Sequence, residues 1–361
     1  MGGSHRELSP KDRFEVDDPP NRKIHPPLGK PHAFALAATL HLFFSSLFVI
    51  SLFLSVSANL FAAEPETPFL INRSIFQPAD NNGFRFDTVV LRGKLHANGK
   101  PTGLTEVIHV PTGRRLDSSM GILSFYRVFS ENKRYGTAAW DWPNGTANLR
   151  PDGAVEYAWP ATDDRPFEFK AVYRWTNATT LGVEIAVTAK TDIKGFESFL
   201  ANYCDKAFTT PAAYVAKLPD ADKPGFLVAK KDAGDWQMFP RDEKSAPLIK
   251  DGRWTIEPNP VDWAIRPPLA VPLAVRRDGE NKLAVIVMAP KEDCFAVAMP
   301  YENEGHYSLY LSLLGRDCKA GQTLKARARL IVAESISDSE IVERYTQYMK
   351  ETSNSGSPQP K

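Results

Sequence analysis

Cysteine and histidine are scarce in this chain, with three and seven in 361 residues. Cys204, Cys294 and Cys318 have no metal-ligand spacing, so a cysteine-based zinc module is excluded. Their odd number allows at most one internal disulfide. Two readings stay open: three thiols, or a Cys294–Cys318 bridge between neighbouring strands. Charge of one sign is also lacking, since 44 Lys and Arg offset 43 Asp and Glu. A nucleic-acid partner would need a basic patch or stripe, and none is present. The sequence has no Gly-Lys-Ser/Thr phosphate loop, dinucleotide glycine fingerprint, His-Glu-x-x-His, Gly-x-Ser-x-Gly or helix–loop–helix calcium loop. Nucleotide chemistry, zinc proteolysis and hydrolysis by an activated serine are therefore unsupported. No cofactor and no metal are implied.

One long apolar run is present. Residues 1–32 are polar and rich in proline and charge, and read as a disordered leader. Ala33–Ala63 carries no Asp, Glu, Lys or Arg, and Leu36–Leu60 is long enough to span a bilayer. Arg22, Lys23 and Lys30 precede it, while Glu64 and Glu66 follow. The positive-inside rule then places the bulk of the chain outside, in the periplasm or the extracellular space. A signal peptide cleaved near Val56-Ser57-Ala58 or Ala62-Ala63 competes with an uncleaved anchor. The small residues favour cleavage. Membrane contact is expected only through this segment, if it is uncleaved. The exported part retains three histidines, His96, His109 and His306.

From residue 64 onward there is no long helical period, and 29 prolines outnumber 22 glycines. This predicts an all-β domain over 64–336, a large antiparallel β-sandwich. Thr88–Leu91, Leu104–Val110 and Gly121–Phe129 read as strands. The clearest hairpin is Phe167–Trp175 with Leu181–Ala189, where apolar and polar residues alternate on both sides of a polar turn. Phe196–Tyr203 fits a strand or a short helix. Lys230–Pro268, with Trp236, Trp254 and Trp263, reads as a long loop folded over a sheet face. Leu283–Met288 is apolar on both faces and is expected to be central. Ser337 and Glu340 form a capping box, predicting a helix over 337–350 and a polar tail over 351–361.

Arg134–Pro143 concentrates groups that both stack and hydrogen-bond. A sugar presents an apolar C–H face and a hydroxyl rim, which suit Trp and Tyr on one side and Asp and Arg on the other. Candidate binding residues are Arg134, Tyr135, Trp140, Trp142 and Trp159, with Asp262 and Trp263 on a proline-flanked loop. In an extended strand Trp140 and Trp142 share one face and Asp141 takes the other. The competing reading makes these tryptophans core. The acid–base candidates are His306 beside Glu304, His109 at a strand end, and Asp141. A carboxylate beside an imidazole can work as an acid–base pair near neutral pH. A solvated acidic loop and a hydrogen-bonded structural histidine are the alternatives.

The succession Gly103–His109, Leu123–Arg127, Arg134-Tyr135-Gly136 and the aromatic hairpin resembles the galactose-mutarotase-like superfamily over about residues 70–335. That resemblance implies a large antiparallel sandwich and a carbohydrate ligand. Epimerases of the family use a histidine acid and a glutamate base at the anomeric centre. This chain lacks the family's asparagine–histidine pair before an aromatic strand, and no catalytic residue carries over. The expectation is an exported protein that binds or processes carbohydrate. The alternatives are a non-catalytic envelope module using the same aromatics and a protein–protein interaction domain.

Overall fold

The computed structural model describes residues 75–80, 83–97, 99–279 and 282–354. The expected leader, the export segment and residues 355–361 of the tail lie outside the described residues. Among those described, no helix is long and apolar enough to cross a membrane.

The architecture is sandwich-like. Five short strands form an N-terminal meander: Phe76–Pro78, Phe84–Asp87, Leu91–His96, Gly103–His109 and Arg114–Arg115. A nine-stranded sheet runs from edge to edge as Gly225–Val228, Thr210–Val215, Leu269–Arg277, Leu283–Met288, Thr323–Glu334, Thr180–Ala189, Phe167–Asn177, Val155–Trp159 and Thr146–Leu149. A seven-stranded sheet runs as Ala264–Ile265, Trp236–Pro240, Cys294–Pro300, Ser308–Cys318, Ile193–Tyr203, Ser124–Ser130 and Lys133–Arg134. Pairing is antiparallel except between Trp236–Pro240 and Ala264–Ile265.

Period-2 patterning explains why the large sheets face one another. Phe167, Phe169, Ala171 and Tyr173 point from the predicted hairpin into a shared core with Phe125, Leu200, Val297 and Leu311 of the seven-stranded sheet. Tyr173 also donates its hydroxyl to the Leu123 carbonyl at 2.9 Å, tying the sheets together by a buried hydrogen bond. Leu283–Met288 is fully buried and fourth of nine strands, as its double-sided apolarity predicts.

Each large sheet also has cover on its outer face. Ile341, Tyr345 and Tyr348 of the C-terminal helix pack on Leu273, Val275, Ile286 and Met288 of the nine-stranded sheet. The capping box forms as expected, since Ser337 N–H donates to Glu340 Oε2 at 2.8 Å and Glu340 N–H to Ser337 Oγ at 3.3 Å. The helix spans Asp338–Asn354, beyond the predicted Lys350. An Arg329–Glu351 ion pair at 2.7 Å ties down its last turn. Part of the outer face of the seven-stranded sheet is covered by Ile249, Trp254 and Trp263, while Tyr126 and Trp236 stay partly exposed and His306 exposed. Those covering residues come from Lys230–Pro268, expected as a loop over a sheet, but its Trp236–Pro240 and Ala264–Ile265 are strands of that sheet itself.

Two local expectations change. Thr88, predicted as strand, stands in the turn between Phe84–Asp87 and Leu91–His96. Its hydroxyl accepts the Leu91 N–H at 2.8 Å and reaches the Ala178 carbonyl at 2.6 Å, so it closes the turn. Phe196–Tyr203 is strand, not helix, within Ile193–Tyr203. The three cysteines are buried free thiols, which removes the Cys294–Cys318 bridge. Burial pushes the Cys204 and Cys294 thiols up to about 12.

Candidate functional site

The outer face of the seven-stranded sheet gathers the densest set of aromatic and polar groups. Alternation in Ile193–Tyr203 sends Leu200 inward and Phe199, Ala201 and Tyr203 outward. In Ser308–Cys318 it sends Leu309 and Leu311 inward and Tyr310 outward. The strand Ser124–Ser130 carries a bulge. Phe199 pairs with Arg127 and Leu200 with Phe125, leaving Tyr126 as the extra residue. Phe125 keeps its place in the inter-sheet core while Tyr126 and Phe129 join the outer cluster.

A continuous aromatic wall follows. Trp140 stacks on Tyr126 at 5.6 Å and 19°. Tyr126 meets Tyr203 at 6.1 Å, and Tyr203 meets the His306 ring at 6.1 Å. His306 lies 5.2 Å from Trp236, which meets Trp263 edge-to-face at 5.8 Å. Tyr310 lies behind, 5.7 Å from Tyr203. Its hydroxyl accepts a bond from Ser308 Oγ at 2.7 Å. Burial pushes the Tyr310 phenol up to about 12 and raises Tyr203 well above its usual range, so both stay protonated near neutral pH.

A carboxylate–imidazole pair, Glu304 and His306, stands on this wall. His306 Nδ1 lies 2.8 and 3.0 Å from the two Glu304 carboxylate oxygens, and the His306 N–H donates to Glu304 Oε2 at 2.9 Å. An ionised carboxylate only accepts, so the Nδ1 hydrogen is the donor and Nε2 is left to meet a ligand. The His306 side chain is 52% exposed, against 19% for Glu304.

Beneath the wall the carboxylates and guanidiniums are unevenly matched. Glu197, fully buried, is bound by Arg253 at 3.0 Å, and Arg253 also holds Asp251 at 2.6 Å. Burial opposes the Arg253 charge, but the two carboxylates outweigh it and hold the guanidinium above its ordinary value. Arg127 is 4% exposed, with its guanidinium carbon 4.9 Å from the Tyr126 ring centroid and 5.4 Å from that of Trp254.

The predicted residues are divided among four places. Trp140, Trp263, Glu304 and His306 share the outer face. Arg134 lies at its edge, donating to the carbonyls of Thr137 and Pro258. Trp142, Trp159 and Tyr135 belong to the inter-sheet core. Trp142 packs edge-on to Trp159 at 5.8 Å and Phe169 at 5.6 Å, and its indole donates to the Tyr135 carbonyl at 2.7 Å. The expected extended geometry is replaced by a 3-10 turn over Ala139–Asp141, so Trp140 and Trp142 do not share a face. Asp141 and Asp262 are exposed. His109 belongs to the N-terminal meander. It is 2% exposed and sits between Thr112 Oγ1 at 2.9 Å and Glu334 at 3.2 Å. Burial lowers its imidazole below the ordinary value, and Glu334 partly opposes this.

The sequence reading missed Tyr126, Arg127, Tyr203 and Tyr310. No local pattern marked them: Tyr126 stands at a bulge, and Tyr203 and Tyr310 meet through strand order. Among the described residues no three His, Cys, Asp or Glu side chains gather as a metal site.

No family model and no curated protein matches this chain. Among solved structures, it is similar to an aldose 1-epimerase candidate from Escherichia coli K12, at a TM-score of 0.38 and 11% identity, covering 69% of this chain and 98% of that one. It is also similar to heparan sulfate lyase HepC from Pedobacter heparinus, at 0.39 and 7%, covering 72% and 36%. A third is alpha-N-acetylgalactosaminidase NagBb from Bifidobacterium bifidum, in its GalNAc complex, at 0.42 and 9%, covering 75% and 36%. At these scores and identities none of the likenesses assigns this chain a ligand or a reaction.

Proposed function

We propose that this protein binds a saccharide on the outer face of its seven-stranded sheet, with Glu304 and His306 placed to move a proton at the sugar. The observation that carries this reading is the unbroken wall Trp140–Tyr126–Tyr203–His306–Trp236–Trp263, with a carboxylate–imidazole pair on it. Aromatic faces cover the C–H face of a pyranose, and phenol, imidazole and indole groups meet its hydroxyls. His306, oriented by Glu304, would give or take a proton through Nε2. The apolar run Leu36–Leu60 supports placing this face outside the cytoplasmic membrane.

A non-catalytic envelope module is the second reading. It is favoured by the state of Glu197, the other deeply placed carboxylate of this face, which Arg253 already engages. A glycan-array screen of the protein, followed by titration of the strongest binder and an assay of its turnover, tests both. Binding with turnover favours the first, and binding without turnover favours the second. No binder among neutral and charged glycans would sink both.

A further inference from the structure

The floor of this face holds more buried positive charge than it answers. Arg127 is 4% exposed, and its Nε and Nη1 are buried with no hydrogen-bond partner among the described residues. Arg134 is 8% exposed and its Nε is likewise unpaired, its other two nitrogens being spent on backbone carbonyls. Both guanidiniums lie against Tyr126, and burial together with the neighbouring Arg127 charge lowers the Arg134 guanidinium below its ordinary value. The Tyr126 hydroxyl, hydrogen-bonded to Arg134, and then Glu257 offset this only in part. Glu197 through Oε2 and Asp251 are engaged by Arg253, and Glu304 by His306. The indole nitrogens of Trp254 and Trp263 are also buried and unpaired, and Glu197 Oε1 is an unpaired acceptor among them.

A buried guanidinium without a counter-ion is costly, and a second one beside it compounds the cost. An oxyanion relieves it, because the planar fork of arginine matches two oxygens at once. Resting on the saccharide reading above, we infer that the ligand is an anionic saccharide, whose carboxylate or sulfate is held by Arg127 with Arg134 beside it. Tyr126 ties the two parts of the site together. Its ring is partly exposed, stacks on Trp140 and lies against the Arg127 guanidinium.

The test titrates the full chain with uronate-containing oligosaccharides, with the same oligosaccharides after carboxyl reduction, and with sulfated oligosaccharides. At low salt the acidic forms are expected to bind at least tenfold more tightly than their reduced counterparts, with the preference shrinking as ionic strength rises. Arg127→Gln should reduce the preference to within twofold. Preference for uronates over sulfated sugars, or the reverse, identifies the oxyanion. Equal binding of acidic and reduced forms overturns the inference and leaves the saccharide reading standing. Absence of binding by any saccharide overturns both. If Arg127→Gln fails to fold, the comparison of ligands and the salt dependence on the wild-type chain still decide.

Discussion

Trp140 and Trp142 are two residues apart and serve different layers of the molecule. Trp140 stacks on Tyr126 at the outer face of the seven-stranded sheet, while Trp142 packs against Trp159 in the core between the sheets. The 3-10 turn over Ala139–Asp141 separates them. A stretch that reads as one site in sequence therefore joins the outer aromatic wall to the core.

Trp142→Ala should destabilise the fold by about 3–5 kcal/mol, the cost of truncating a buried aromatic. It also removes the indole bond to the Tyr135 carbonyl. Trp140 is nearly as buried, at 9% against 7%, so Trp140→Ala should also destabilise the fold, but of the two only Trp140→Ala should lower saccharide affinity. Urea denaturation and saccharide titration of the two variants check this. Equal affinity losses in both variants would contradict the separation of wall from core.

Arg253→Met should cost about 3–5 kcal/mol, because it strands the Glu197 carboxylate in a fully buried position. Adding Glu197→Gln should recover a large part of that loss, since the stranded charge is then gone. A double-mutant cycle measured by denaturation reads the coupling. Additive effects would contradict the pairing.

Stability should fall as pH drops below about 6.5, the ordinary histidine value. Burial lowers the folded-state His109 imidazole, so the unfolded chain takes up protons first. The contribution is fully present above that pH and is lost as pH falls through the folded value. His96, lowered by burial and by Lys94, adds in the same direction. His109→Gln should flatten this part of the pH–stability curve. An unchanged slope would show that His109 is not the group responsible.

His306→Gln should leave stability within about 0.5 kcal/mol of wild type, since the side chain is exposed. If the bound saccharide is turned over, the same change should slow turnover by roughly 10²–10⁴. Steady-state kinetics alongside thermal unfolding separates the two effects. Full turnover in this variant would remove the acid–base role.

Much of the scaffold was legible because sheet burial imposes a period of two. Phe167–Trp175 announced its buried face, and Leu283–Met288 its central place, by side-chain alternation or its absence. Ser337 and Glu340 marked a helix start through local hydrogen bonding alone. The wall was only half legible. His306 and Glu304 stand close in sequence, so their pairing could be read locally. Tyr126 owes its place to a bulge, and Tyr203, Tyr310 and Trp236 come together only through strand order, which no local pattern encodes. Trp142 was misdirected because the 3-10 turn interrupts the assumed strand.

The central claim is that a saccharide lies along the wall of the seven-stranded sheet. Titration of the strongest array binder into wild type, Trp236→Ala, Tyr126→Ala and the exposed control Val89→Ala tests it most directly. The account predicts at least a tenfold loss of affinity for Trp236→Ala and Tyr126→Ala and wild-type affinity for Val89→Ala. Unchanged affinity in both aromatic variants, with both still folded, would contradict it.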